Sequence, residues 1–342
     1  IETGCRAAAW GGFTAVCCMP NTRPVNDNCD VTEFILNRAA RANGSRVYPV
    51  GAISMDLDGR KLAAFERLKS CGVVAVSDDG NPVMDDALMQ QALVAAHSLK
   101  LAVISHCEDL RLAAGGVMNA GPVATELNLA GIPNASESAM VERDIALSKA
   151  TGAPVHIAHV STAESVRALR EAKSSGLKVT AETAPHYFML TDEAVRQCGT
   201  HAKMNPPLRS AEDREAIRRG LAEGVIDVIA TDHAPHRLDE KQRPYPESPS
   251  GLPAVENSLA LMLDQVARGR CTLEQVVGWM CEAPARVWDI VGKGALREGH
   301  DADLVLVDLA KKQVVRNQHQ VTKCGWTPWD GVELQGWPVK TF

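Results

Sequence analysis

Seven short apolar runs rich in β-branched residues alternate with amphipathic helical stretches, and this alternation constrains the fold of the chain more than any other feature. The runs span Phe13 to Met19, Val47 to Ser54, Gly72 to Ser77, Leu101 to Ser105, Pro154 to Val160, Lys178 to Thr183 and Val225 to Ala230. Helical patterns lie between them near 31–43, 59–70, 84–99, 137–151, 163–175 and 211–223, several opened by Asp, Ser or Thr in a capping position. Two more follow near 254–268 and 272–282. Repeated βα units of this kind build a parallel sheet. An open doubly wound sheet would carry a Gly-rich phosphate turn early in the chain, and Gly11-Gly12 is not a GxGxxG. The expectation is therefore an α/β fold, a TIM-type (β/α)8 barrel. Ile1 to Ala9 reads as a helix already under way, so the first of the eight strands belongs upstream of Ile1. Past residue 292 the texture changes to a turn and then a strand, Asp301 to Asp308, with no helix after it. We expect residues 1–292 to form the barrel without its first strand, and residues 293–342 to form part of a small C-terminal β-sandwich that breaks off in the strand-like Pro338 to Phe342.

Composition narrows the function. A net charge of −6 with no Lys/Arg run longer than a pair leaves no electrostatic footprint for nucleic acid or an anionic membrane. No stretch reaches about 18 consecutive apolar residues. The ten cysteines show no CxxC, and several sit inside apolar runs such as Ala15-Val16-Cys17-Cys18-Met19, which reads as buried free thiols of a cytoplasmic protein.

In a barrel, the residues just past each strand face the active-site mouth. Here the runs deliver Ser77-Asp78-Asp79-Gly80, Ser105-His106-Cys107-Glu108-Asp109, His156-Ile157-Ala158-His159-Val160 and Ala230-Thr231-Asp232-His233-Ala234-Pro235-His236. One buried histidine is usually a core residue. Four strands that each bring a His or Asp to one rim instead supply the ligands of a hydrolytic metal site, where carboxylates can bridge two ions. His156 and His159 are three apart on one strand, so alternation should turn them to opposite faces, with His159 at the mouth and His156 structural. Asn21 in Met19-Pro20-Asn21-Thr22 and Asn205 in Met204-Asn205-Pro206-Pro207 are candidates either for substrate contact or for a turn. Asp301 and Asp303 read as a turn.

These strings, with Cys18-Met19-Pro20-Asn21-Thr22 and Met204-Asn205-Pro206-Pro207-Leu208-Arg209, resemble the type I dihydroorotases of the amidohydrolase superfamily over nearly the whole chain. The resemblance implies reversible hydrolysis of L-dihydroorotate to N-carbamoyl-L-aspartate in pyrimidine biosynthesis. It also implies two Zn2+ ions, bridged by Asp79 and a hydroxide, with His106 and His159 on one ion and Asp232 on the other. Asn21, Asn205, His236, Ser250 and Gly251 would hold the substrate, the last two on a mobile loop. Asp232 would carry the proton. The family's His-x-His-x-Arg string does not occur in these residues, so the chain as written is expected to lack two ligands and to have little activity. Ser250-Gly251 stands where the family more often has Phe-Gly. The resemblance further implies a homo-oligomer and association with aspartate carbamoyltransferase. Two other readings stay open: an allantoinase or dihydropyrimidinase, which would carry a carboxylated lysine where Asp79 stands, and a catalytically silent scaffold.

Overall fold

Nine short strands and the helices between them occupy residues 1–304, and two long strands close the chain, in the computed structural model, which describes all of residues 1–342. The strands are β1 (Ala15–Cys18), β2 (Arg46–Ala52), β3 (Ala75–Ser77), β4 (Ala102–Ser105), β5 (Met118–Asn119), β6 (Gly131–Ile132), β7 (Val155–Ile157), β8 (Val179–Thr183), β9 (Val228–Ile229), β10 (Val305–Val314) and β11 (Glu333–Thr341). The seven expected runs pair in parallel in the order β1-β2-β3-β4-β7-β8-β9. Both faces of this sheet are apolar, as a parallel sheet buried on both sides requires. Val76, Val103, Ile157 and Ile229 face outward and pack with Leu68, Leu93, Leu169 and Ile217 of the surrounding helices in the main core. Val50, Ala75, Ile104 and Val228 face inward and meet Ala158, Ala283 and Trp288. Val50 on β2 and Val228 on β9 belong to strands that do not pair with each other, so their place in one inner cluster requires the sheet to curl.

The helices start where the sequence provides caps. Asn28, Asp85 and Thr162 accept from the backbone N–H three residues on, and Ser210 with Asp213 forms a capping box. The helix expected from residue 59 begins only at Phe65, because Asp56, Leu57 and Gly59 adopt left-handed backbone and cannot continue a right-handed helix. Between β4 and β7 the chain makes an excursion the alternation does not reveal, in which β5 and β6 pair in parallel. No helix is long and apolar enough to cross a membrane.

β10 and β11 pair with each other in antiparallel fashion. Their inner side reaches the helix Ser258–Ala267, where Ala260, Leu261, Leu334, Trp329 and Trp337 share a cluster. Gly336, at φ +95°, lies so close that an added Cβ would sit 2.5 Å from Leu263 Cβ. Two expectations need correction. Asp301 and Asp303 do more than turn the chain, since both pair with the Lys293 ammonium. The cysteines are not all free: Cys29, opening the helix Cys29–Ala40, and Cys71, capping the helix Phe65–Ser70, form a disulfide with Cα atoms 5.7 Å apart. Of the eight free thiols only Cys5 and Cys107 are buried. Residues 42 apart in sequence meet because two helix ends meet, which spacing alone does not report.

Candidate active site

The ends of β3, β4 and β7 bring three side chains to one point. Asp79, His106 and His159 place their ligand atoms within 4.8 Å of one another. Asp79 Oδ1 is 3.8 Å from both His106 Nδ1 and His159 Nε2, and the two ring nitrogens are 2.8 Å apart. Asp78 turns away instead, accepting from the backbone N–H of Ile53 and Ser54 and from the Ser54 hydroxyl. Burial opposes the Asp79 carboxylate, but His159 and His106 outweigh it and hold its pKa below the ordinary range. His159 responds in kind: burial would lower its pKa, yet Asp79 and the Asp232 charge push it up to about 9.

His159 arrives by a route that strand alternation does not predict. β7 stops at Ile157, which faces the outer core, while Ala158 faces the inner cluster. His159 then takes a left-handed backbone, φ 34°, which turns its ring back inward. His156 is also inside, against the expectation of opposite faces. It sits deeper, with Nδ1 2.8 Å from Thr180 Oγ1, Nε2 3.3 Å from Glu182 Oε2, and its ring 5.2 Å from that of Trp288.

Around this cluster the substrate candidates divide into two groups. Asn21 Nδ2 donates to Asp79 Oδ2 at 2.9 Å. Asn205 Nδ2 donates at 3.0 Å to Glu108 Oε2, which also lies 3.3 Å from His106 Nε2. Burial disfavours the Glu108 carboxylate, but His106 and Asn205 hold its pKa below the usual range. Sequence pattern alone gives Glu108 no role, although it stands only two residues past His106.

Asp232 lies outside the three-residue cluster and also adopts left-handed backbone, φ 49°. Two such non-glycine residues, each costing roughly 1–3 kcal/mol, fall where the chemistry is expected. Asp232 Oδ2 is 3.3 Å from His186 Nε2 and accepts from the Tyr187 hydroxyl at 3.3 Å. Burial pushes the Asp232 pKa up, and His186 outweighs it, so the carboxylate titrates below its ordinary range. Sequence reasoning missed His186 and Tyr187, which open the helix Pro185–Met189 just after β8. Their signal is the one that marks His106 after β4, a polar residue just beyond a strand's C-terminal end. His236 Nε2 is 2.8 Å from the carbonyl of Ser250. Gly251 is required there, since its φ is +128° and a Cβ would meet Ala234 O at 2.6 Å. The segment expected to be a mobile loop is tied down by two buried ammonium groups: Lys203 donates to the carbonyls of Tyr245, Pro246 and Ser248, and Lys241 to those of Pro249 and Gly251.

Two imidazole nitrogens and a carboxylate are a donor set for a divalent transition metal. Ligands at about 2.05 Å in tetrahedral geometry stand about 3.3 Å apart, so seating an ion requires the 2.8 Å His106–His159 contact to open by about half an ångström. The residues fit such an ion.

Known proteins point the same way. The profile of a family described as dihydro-orotase-like matches residues 1–165. The chain is 49% identical over 342 residues to the dihydroorotase of Syntrophus aciditrophicus, covering all of this chain and 80% of that one. It is 50% identical over 336 residues to the dihydroorotase of Desulforapulum autotrophicum, covering 98% and 78%. Among solved structures it is similar to the L-hydantoinase (dihydropyrimidinase) of Arthrobacter aurescens, with TM-score 0.87 and 26% identity over the whole chain and 78% of that protein. A D-hydantoinase from Thermus sp., with TM-score 0.85 and 24% identity over the same shares, has the same fold.

Proposed function

The chain belongs to the dihydroorotase family of metal-dependent cyclic amidohydrolases, which act on small molecules, and from that premise we propose how its residues divide the work of opening L-dihydroorotate to N-carbamoyl-L-aspartate. The observation that carries the proposal is the convergence of Asp79, His106 and His159 at the ends of three strands. Asp79, His106 and His159 would hold zinc, and Asp232 would contribute to the same centre. Bound zinc supplies a Lewis acid that polarises the ring amide and acidifies water to a pKa of about 7.

The proton work falls to Asp232. His186 and Tyr187 both engage Oδ2, so the proton work is assigned to Oδ1. That oxygen takes the proton of the attacking water and returns it to the departing ring nitrogen. Asn21, Asn205, His236 and the Ser250-Gly251 turn hold the substrate. Asn21 is anchored by Asp79, Asn205 by Glu108 and His236 by Ser250, so each side chain is oriented before the substrate arrives.

Within the same reading, residues 1–292 are the catalytic unit and 293–342 a β segment, and the enzyme serves pyrimidine biosynthesis in the cytoplasm as a homo-oligomer able to associate with aspartate carbamoyltransferase. Asp79, where hydantoinases and allantoinases use a carboxylated lysine, favours dihydroorotate over their substrates. The complete gene product, loaded with zinc, is assayed with L-dihydroorotate, hydantoin, dihydrouracil and allantoin. Turnover confined to dihydroorotate is the expected result, and a preference for any other ring removes the proposal.

A further inference from the structure

Glu108 and Asp109 are neighbours in sequence with different employments. Asp109 caps the helix Leu110–Ala113, accepting from the backbone N–H of Arg111 and Leu112, and pairs with the Arg111 guanidinium. Glu108 supports no backbone group. Its hydrogen-bond partners are two side chains, His106 and Asn205, and both reach the same oxygen, Oε2. One of these belongs to the metal cluster, and the other is a substrate candidate from a different part of the chain.

We propose that Glu108 is a positioning residue that ties the metal ligand His106 to the substrate-binding residue Asn205 through a single carboxylate oxygen. The proposal rests on the assignment of metal and substrate residues under Proposed function. Ionised, the carboxylate only accepts hydrogen bonds, so the groups that face it must donate. His106 Nε2 therefore carries the ring proton, and Nδ1 presents a lone pair to the point where Asp79 and His159 converge, which is the tautomer a metal ligand needs. The same constraint fixes the amide of Asn205. One Nδ2 hydrogen goes to Glu108, which leaves the side-chain carbonyl and the second N–H for substrate. Neither group is held by the main chain of its own strand or turn, so the shared oxygen sets both orientations at once.

The test uses the complete gene product and its E108A, E108Q, N205A and E108A/N205A variants. Zinc affinity is read by competition with a chromogenic chelator, and L-dihydroorotate affinity by calorimetry at saturating zinc. Outer carboxylates on metal-bound histidines are worth roughly ten- to hundredfold in metal affinity. E108A should lose zinc affinity by that factor and should also bind dihydroorotate more weakly. N205A should weaken dihydroorotate binding and leave zinc affinity at the wild-type value. The double variant should bind dihydroorotate no worse than N205A, because Glu108 reaches the substrate through Asn205. E108Q keeps the side-chain volume and an acceptor oxygen, so it should recover part of both losses, and it carries the test if E108A does not fold. Wild-type zinc and dihydroorotate affinities in E108A and E108Q would overturn the proposal while leaving the metal assignment in place. Full additivity in the double variant would overturn the link through Asn205. A wild-type protein that takes up no zinc would overturn the metal assignment itself, and this proposal with it.

Discussion

Lys241 offers a perturbation whose sign and size both derive from its surroundings. The side chain is wholly buried, and its ammonium donates to the carbonyls of Lys203, Pro249 and Gly251 at 3.2, 2.9 and 3.0 Å. Burial first, and then the neighbouring Lys203 charge, bring its pKa down from 10.5 to about 8. The unfolded chain keeps this proton up to about pH 10.5 while the folded chain releases it near 8. Between those values the unfolded state binds more protons, so this group makes the protein more stable as pH rises. A shift of about 2.5 units corresponds to about 3 kcal/mol in total, at about 1.4 kcal/mol per unit. The half-buried thiols Cys17 and Cys18, raised to about 12 and 11, act in the opposite sense in the alkaline range, so the wild type alone does not isolate the effect. The difference between wild type and Lys241→Met does. Measured by urea unfolding, that difference should grow in favour of the wild type by about 3 kcal/mol from about pH 7.5 to about pH 10.5, on top of a constant offset from the lost hydrogen bonds. A pH-independent difference would show that burial of the ammonium does not carry this cost.

Other consequences are as specific. Gly251→Ala should cost roughly 1–3 kcal/mol by calorimetry and raise KM for dihydroorotate, since the new Cβ collides with Ala234 and strains the turn that holds His236. Asp79→Ala should abolish binuclear metal binding, whereas His156→Ala should keep the wild-type metal content, because His156 pairs with Thr180 and Glu182 below the cluster. Metal analysis of the two proteins decides this, and the reverse pattern would mean that the rim has been misread.

The parallel sheet was legible because strand and helix periodicities alternate along most of the chain, and each of the seven runs overlaps an observed strand. The rim was legible because His106 follows β4 directly and Asp79 lies two residues past β3. Less of His159 and Asp232 could be read. Their side chains are aimed by left-handed backbone, which no side-chain pattern announces. Hydrogen-bond partners were the least visible layer. Glu108, His186 and Tyr187 matter through contacts with residues up to 97 positions away, and the Cys29–Cys71 disulfide likewise depends on where two helix ends meet.

The most direct test of a metal-dependent dihydroorotase is the turnover of L-dihydroorotate by the complete gene product as its metal is removed and restored. Chelation to zero metal should abolish ring opening, and stepwise addition of zinc should restore it in proportion to occupancy, up to two ions per chain. Full turnover by metal-free protein, or none by protein holding two zinc ions, would contradict the account.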